Sequence, residues 1–246
     1  MHAIILSAGK GSRMYPLTAS TPKCLIDIGN GTSVLQNQLN VLIDCGITSI
    51  YIVAGYLIEQ VEDMITKYDS DADIQILHNP FYETSNNIIS LWLGLLQVDG
   101  PSISINGDNI FKKSVISKLL KTPGDIVMTI DKKQRYDSDD MLAVIEGNRV
   151  VAVGKKLDRK IANAESVGII KFTLKGYQEI SKTLHSMLKD QSNHSLFYLS
   201  AMQEIMDSDF EVLPCEIEPG DWAEIDFHPD LEDLKTRIRE NAELFE

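Results

Sequence analysis

Residues 3–26 read Ala-Ile-Ile-Leu-Ser-Ala-Gly-Lys-Gly-Ser-Arg-Met-Tyr-Pro-Leu-Thr-Ala-Ser-Thr-Pro-Lys-Cys-Leu-Ile. Residues 3–7 form a short apolar run that stops at a glycine loop, the pattern of a buried strand. Gly9 and Gly11 let the backbone turn tightly and come close to a ligand. The N–H groups exposed along the segment that holds Leu6, Ala8, Gly9, Gly11 and Ser12 can cradle phosphate oxygens. Residues 1–26 carry Lys10, Arg13 and Lys23 and no acid, in a chain whose net charge is -13. That local reversal of charge suggests an anion site. Two better-known phosphate loops do not fit. The order G-x-x-x-x-G-K-[ST] is absent, and Met14 stands where a dinucleotide fingerprint needs its third glycine. Pro16 and Pro22 keep the chain irregular as far as about residue 22. Glycine spacing alone is equally compatible with an ordinary strand-to-loop turn.

Outward from this stretch, strand and helix alternate. Strands are predicted over 50–53, 74–77, 103–106 and 126–130. Helices are predicted over 33–44 (capped by Thr32 or Ser33, stopped by Gly46), 57–67, 86–96 (capped by Thr84 or Ser85) and 115–120. This alternation predicts an α/β fold, a mostly parallel sheet with helices on both faces and ligands at the carboxyl ends of the strands. The loops after Ser7, Val53 and Asn106 lie at such ends. After residue 130 the rhythm changes. Segments 141–146 and 149–153 flank Gly147-Asn148 as a small β-hairpin. A strand over 167–172, helices over 174–189 and 195–206, short strands over 212–217 and 222–225, and a last helix from about Pro229 to the end follow. Residues 1–130 are expected to form a nucleotide-binding core and 131–246 an elaboration of the same domain.

Composition narrows the function classes. Hydrophobic residues make up 43% and charged residues 24%, ordinary for a globular enzyme. The acidic balance argues against long nucleic acid and anionic membranes as partners. Cys24, Cys45 and Cys215 lie far apart, and the histidines show no metal-ligand spacing, so neither a disulfide framework nor structural zinc is expected. No apolar run is long enough for membrane insertion. A cytoplasmic protein is expected; its oligomeric state is not written in the sequence, and a homodimer is one state open to it.

The stretch Ala8-Gly9-Lys10-Gly11-Ser12-Arg13-Met14-Tyr15-Pro16-Leu17-Thr18, then Thr21-Pro22-Lys23-Cys24-Leu25, resembles the signature G-x-G-x-R, P-L-T, P-K of the sugar-phosphate nucleotidyltransferase superfamily. The resemblance implies a Rossmann-like sheet and pyrophosphorylase-type chemistry. It implies that Arg13 and Lys23 contact a nucleoside triphosphate and support the transition state, with backbone contacts from Ala8, Gly9 and Gly11. Such a transfer needs a cation, and Mg2+ favours one or two carboxylates plus substrate phosphates. Read from the residues alone, Asp108 after the 103–106 strand and Asp226 after Ile225 are turn or cap residues as readily as ligands. The superfamily's G-D after a central strand and its W-x-E-I-D-like segment near the end imply that both are catalytic and hold Mg2+. Glu224 is a minor rival.

Thr84-Ser85-Asn86-Asn87-Ile88-Ile89-Ser90-Leu91 opens a helix with two amides suited to a pyrimidine edge or a ribose. It resembles the N-N-x-x-S-L of bacterial phosphocholine cytidylyltransferases, a branch whose G-Y near the base matches Gly55-Tyr56; this favours CTP. For the acceptor, a quaternary ammonium would need an aromatic box, with Tyr82, Trp92, Tyr136, Tyr198 and Trp222 as candidates and Trp92 read mostly as core. Asp137, Asp139, Asp140 and Asp221 could balance its charge. The run Tyr136-Asp137-Ser138-Asp139-Asp140-Met141 departs from the choline branch and is either a solvated loop or an acidic lining for an amine-bearing or hydroxyl-rich acceptor. Lys155 stands roughly where sugar-1-phosphate members keep a sugar-binding lysine, and Glu165 follows. The expected acceptor-binding set is Tyr136, Asp140, Lys155, Glu165 and Tyr198. The leading expectation is a CTP-dependent transferase for phosphocholine or a related small phosphorylated or phosphonate compound. The alternatives are a sugar-1-phosphate nucleotidyltransferase using UTP, dTTP or GTP, and a catalytically silent regulatory nucleotide-binding homologue. Arg13, Lys23, Asp108 and Asp226 standing together speak against the last.

Overall fold

Five strands of a computed structural model, which describes residues 1–133, 135–241 and 244–245, account for the first half of the sheet. They are β1 (His2–Ser7), β2 (Ser49–Ala54), β3 (Asp73–His78), β4 (Ser102–Asn106) and β6 (Ile126–Asp131), with α1 (Val34–Asp44), α2 (Ile58–Thr66), α3 (Asn87–Leu95) and α4 (Lys113–Lys121) between them. β1 pairs in parallel with β2 on one side and with β4 on the other. The chain thus reverses its direction of travel across the sheet at β1, and the loops leaving β1 and β4 open a crevice at their carboxyl ends.

The second half completes the sheet. β7 (Leu142–Glu146) and β8 (Arg149–Gly154) form the hairpin, and β9 (Ala164–Phe172) runs antiparallel between β4 and β6. α5 (Leu174–Met187), α6 (Leu199–Asp207) and β10 (Val212–Glu216) follow, β10 pairing in parallel with β6. The order across the sheet is β10-β6-β9-β4-β1-β2-β3, with β7 and β8 extending from β9. The expected mixed, mostly parallel α/β architecture is present. Alternation along β1 sends Ile4 and Leu6 into one core with Ile88, Leu91, Ile180 and Met202, and Ala3 and Ile5 into another with Leu35, Leu39, Val115 and Leu119. Helices therefore cover both faces. No described helix is long and apolar enough to cross a membrane.

Several boundaries differ from the sequence reading. A three-residue strand, β5 (Asn109–Phe111), was not expected, and β11 (Trp222–Glu224) pairs with it outside the main sheet. β11 thus stops before Ile225, and Asp226 lies past its end. Asn86, not Thr84 or Ser85, caps α3; the hydroxyls of Thr84 and Ser85 instead turn back to the Phe81 carbonyl. A 3-10 turn occupies 191–195, so α6 starts later than expected. The last helix, α7 (His228–Glu240), stops before the end, and Phe245 folds back into a third core with Met14, Ile110, Ile225, Leu234 and Ile238. That third core joins the loop after β1 to the segment after β11.

Candidate active site

The glycine loop leaves β1 beside Gly107. The Gly107 N–H donates to the Leu6 carbonyl at 3.0 Å, and a Cβ on Gly107 would come 2.1 Å from Ser7 Oγ. Only glycine lets the two strand ends lie this close. Gly11 takes the left-handed conformation (φ 59°), its carbonyl accepting from Thr18 Oγ1 at 2.9 Å. Short 3-10 turns at Ser12–Met14 and Lys23–Leu25 then point Arg13 and Lys23 back toward the strand ends. The Tyr56 N–H donates to the Ala8 carbonyl at 3.0 Å, its hydroxyl donates to the carbonyls of Thr18 and Ala19, and Gln60 donates to that of Ser20 at 2.8 Å. Tyr56 thus fastens the loop from outside.

Four charges separated by long stretches of chain converge here. Lys23 Nζ lies 2.7 Å from Asp108 Oδ2 and 2.6 Å from Asp226 Oδ1, and Arg13 Nη2 lies 2.7 Å from Asp226 Oδ2. Burial alone would lower the Lys23 pKa, but the two carboxylates outweigh it and hold the ammonium above its ordinary value. Burial likewise pushes Asp108 up, and Lys23 with Arg13 reverses this, so its carboxyl titrates below the ordinary value. Glu224, half-buried nearby, is pushed up to about 8 by burial and by the charges of Asp108 and Asp226.

Residues that the sequence reading passed over hold this arrangement. Gln38 on α1 is fully buried, and its amide donates to the carbonyls of Asn106 at 2.9 Å and Asn109 at 2.7 Å, bracketing the turn that carries Asp108. Asn37 beside it donates to the Phe245 carbonyl and accepts from the Phe111 N–H. Asp230 accepts from the N–H groups of Asp226 and Phe227 at 2.9 and 2.6 Å, fixing the start of α7. The signal for Asn37 and Gln38 was present: two adjacent amides inside an apolar helix fit a buried polar network.

One cavity of about 330 Å³ unites most of the expected site. Leu6, Ala8, Gly9, Gly11, Ser12, Arg13 and Lys23 line one wall, and Asp108 and Asp226 its centre. Asn86 and Asn87 also line it; Asn86 Oδ1 accepts from the Asn87 N–H and Asn87 Oδ1 from the Tyr198 N–H. Among the described residues their Nδ2 groups have no partner. Gly55 and Tyr56 are not part of the lining: Gly55 abuts the Tyr82 ring, and Tyr56 serves the loop. On the far side stand Asp140, Lys155, Glu165, Tyr198, Trp222 and Glu224. Tyr136 does not join them. It lines a separate pocket with Lys132, Lys133 and Arg135. Trp92 packs against the core, as expected.

Behind the far side, Lys133 of the second pocket meets two buried acids, Asp140 and Glu165. Lys133 Nζ lies 2.6 Å from Glu165 Oε1 and 3.6 Å from Asp140 Oδ1, and 5.7 Å from the Trp222 ring centre. The Trp222 indole donates to Asp131 Oδ2 at 2.9 Å. Burial pushes the Glu165 carboxyl up to about 8, the Lys133 contact only partly offsetting it.

The sequence profile of the nucleotidyl transferase family matches residues 2–136. The chain belongs to this family. It is 26% identical to the CTP:phosphoglutamine cytidylyltransferase of Campylobacter jejuni, over 94% of this chain and 98% of that protein. It is also 26% identical to the 2-aminoethylphosphonate cytidylyltransferase of Lancefieldella rimae, over 92% of this chain and 88% of that one. The solved CTP:phosphocholine cytidylyltransferase of Streptococcus pneumoniae superposes with a TM-score of 0.80 at 24% identity, covering 96% of this chain and 98% of that one, a likeness of fold. A nucleotidyltransferase is what the chain is.

Proposed function

We propose that the chain transfers CMP from CTP to phosphocholine or a related small phosphorylated or phosphonate compound and releases pyrophosphate. The observation that carries this reading is the meeting of Lys23, Arg13, Asp108 and Asp226 at the mouth of the glycine loop. Cytidylyltransferase relatives matched along nearly their whole length support CTP over other triphosphates. The amide nitrogens of Asn86 and Asn87 would face the pyrimidine edge or the ribose.

The donor set fits Mg2+: two hard carboxylate oxygens already converge on one cation, the Lys23 ammonium. Asp108 and Asp226 would hold the metal, which supplies charge neutralisation to the phosphates when bound. The chain's own groups do the rest. The glycine-loop N–H groups and Arg13 bind and orient the triphosphate. Lys23, freed from the carboxylates, follows the charge that develops on the α-phosphate. A phosphate monoester is largely dianionic near neutral pH, its second pKa being about 6, so no general base is needed. An acceptor oxygen forms the new bond to the α-phosphorus in line with the departing bridge oxygen, which leaves with the electron pair as pyrophosphate.

Pyrophosphate release measured across CTP, UTP, dTTP and GTP, each with a panel of phosphorylated amines and sugar 1-phosphates, tests the reading. Turnover with CTP and a small phosphorylated amine is expected. A preference for a sugar 1-phosphate with UTP, dTTP or GTP replaces it, and nucleotide binding without any turnover supports a silent regulatory role.

A further inference from the structure

Residues 1–26 carry three cations and no acid, and the proposed transfer uses two of them, Arg13 and Lys23. The third, Lys10, stands between Gly9 and Gly11. Those glycines line the cavity, whereas the Lys10 side chain crosses to the 79–86 segment. Its Nζ lies 2.6 Å from Glu83 Oε1 and 6.0 Å from the centre of the Tyr82 ring. Tyr82, Ser85 and Asn86 of that segment line the cavity too. The ion pair therefore joins the phosphate wall to the proposed base wall. Both walls are held without it. Asn79, buried at the start of the segment, donates to Ser90 Oγ at 3.0 Å and accepts from the Phe81 N–H at 2.9 Å. The Tyr82 ring is seated on Gly55, where any Cβ would come 2.8 Å from it, and the Asn86 N–H donates to the His194 carbonyl at 2.8 Å. On the other wall, Tyr56 fastens the glycine loop through the carbonyls of Ala8, Thr18 and Ala19. The fold thus has no need of a clasp here. The Lys10 and Glu83 side chains are 48% and 56% exposed, and a pair so open to water is weak and easily exchanged.

We propose that Glu83 competes with the nucleotide for Lys10: the ammonium pairs with Glu83 in the empty cavity, moves to the terminal phosphates when a triphosphate enters, and returns as pyrophosphate leaves. The inference rests on the reading of the glycine loop as a triphosphate site. Lys10 branches from the loop between two glycines whose N–H groups that reading assigns to the phosphates, and its flexible four-carbon stem lets the ammonium reach either anion. A triphosphate carries several negative charges where Glu83 carries one, so the nucleotide takes the lysine. Pyrophosphate, once cut from the α-phosphorus, has lost its covalent hold, and Glu83 then competes on better terms. A nucleoside monophosphate lacks the terminal phosphates and gains nothing from Lys10. Glu83 is thereby an internal anion that sets how tightly the leaving group is retained.

The test measures Kd for CTP, CMP and pyrophosphate, with Mg2+, on the full chain and on Lys10→Met, Glu83→Gln and the double variant. Both side chains are half-exposed, so all four proteins should fold. Glu83→Gln should bind CTP and pyrophosphate about two- to fivefold more tightly, the scale of an exposed ion pair. Lys10→Met should bind both about tenfold more weakly, as expected for a lost charged hydrogen bond. CMP should bind alike throughout, and the gain from Glu83→Gln should shrink in the Lys10→Met background. Weaker CTP binding by Glu83→Gln would make the pair a clasp and overturn the exchange. An undiminished gain in the double variant would assign Glu83 to direct repulsion and overturn it equally, as would an unchanged CTP affinity in Lys10→Met. Each of these leaves the triphosphate site standing as long as the wild type binds CTP. A wild type that binds neither CTP nor pyrophosphate overturns the underlying reading together with the inference.

Discussion

Lys23→Met keeps the apolar stem of Lys23 and deletes its ammonium. Without a ligand, that leaves Asp108 and Asp226 facing a point from which a cation 2.7 and 2.6 Å away has been removed. Side-chain exposures of 13% for Lys23, 25% for Asp108 and 11% for Asp226 place the pair mostly out of water. Removing one partner of a buried ion pair costs about 3–5 kcal/mol. Arg13 stays on Asp226 and compensates part of the charge, so the low end, about 3 kcal/mol, is expected. In a chain of this size each kcal/mol moves the melting temperature by about 2–4 °C, which predicts a loss of about 6–12 °C in the presence of a chelator. Mg2+ should restore more of this in the variant than it adds to the wild type, because the variant's carboxylates lack their resident cation. Turnover should fall by about 10²–10³-fold, the usual cost of one preorganised cationic or hydrogen-bonding partner of a transition state. Thermal melts with chelator or Mg2+ and a pyrophosphate-release assay read both effects. An unchanged melting temperature together with near-wild-type turnover would refute the reasoning and make Lys23 an ordinary surface lysine.

Asp108→Asn should abolish Mg2+-dependent turnover while circular dichroism remains native; near-normal activity would remove Asp108 from the metal site. Gln38→Met leaves the carbonyls of Asn106 and Asn109 without their buried donor, at a cost of about 1–3 kcal/mol. If Gln38 positions Asp108, the Mg2+ concentration for half-maximal rate also rises; a stability loss with an unchanged Mg2+ requirement would make it a packing residue only. Glu165 titrates near 8 in the folded chain against an ordinary 4.5. The folded state therefore keeps a proton that the unfolded chain has released, and Glu165's contribution to stability declines as pH rises from about 4.5 to about 8. Glu165→Gln should flatten the fall in melting temperature across that interval, and parallel profiles for variant and wild type would contradict the assignment.

The parallel half of the fold was legible because apolar runs alternate with amphipathic helices, and that rhythm has few other solutions. The antiparallel β9 between β4 and β6 was not, since a buried strand such as 167–172 reads the same in either direction. β5 is three residues long, too short for any periodicity, yet its pairing with β11 brings the Asp226 segment under the loop after β1. Asn86 displaced Thr84 and Ser85 as the helix cap because those hydroxyls had a nearer acceptor in the Phe81 carbonyl.

The site itself was read mainly from its glycine loop and its resemblance to a family, and the residues missed share one property: they act on backbone. Gln38, Asn37 and Asp230 bind carbonyls or N–H groups of the segments that carry Asp108 and Asp226, while Tyr56, expected near the base, binds carbonyls of the loop instead, and a sequence shows which side chains are polar but not which distant peptide they meet. Lys133 was missed for a related reason. Charge counting around residues 136–141 finds acids and assigns them to a cationic ligand, whereas the structure finds that the chain provides a cation of its own. The same device appears at the catalytic centre, where Lys23 stands between Asp108 and Asp226. Asp108 and Asp226, which converge on one point, would repel one another without a cation between them. On the proposed reading, a metal at Asp108 and Asp226 takes the place of the Lys23 ammonium, which ties occupancy of the site to a change in its own charges.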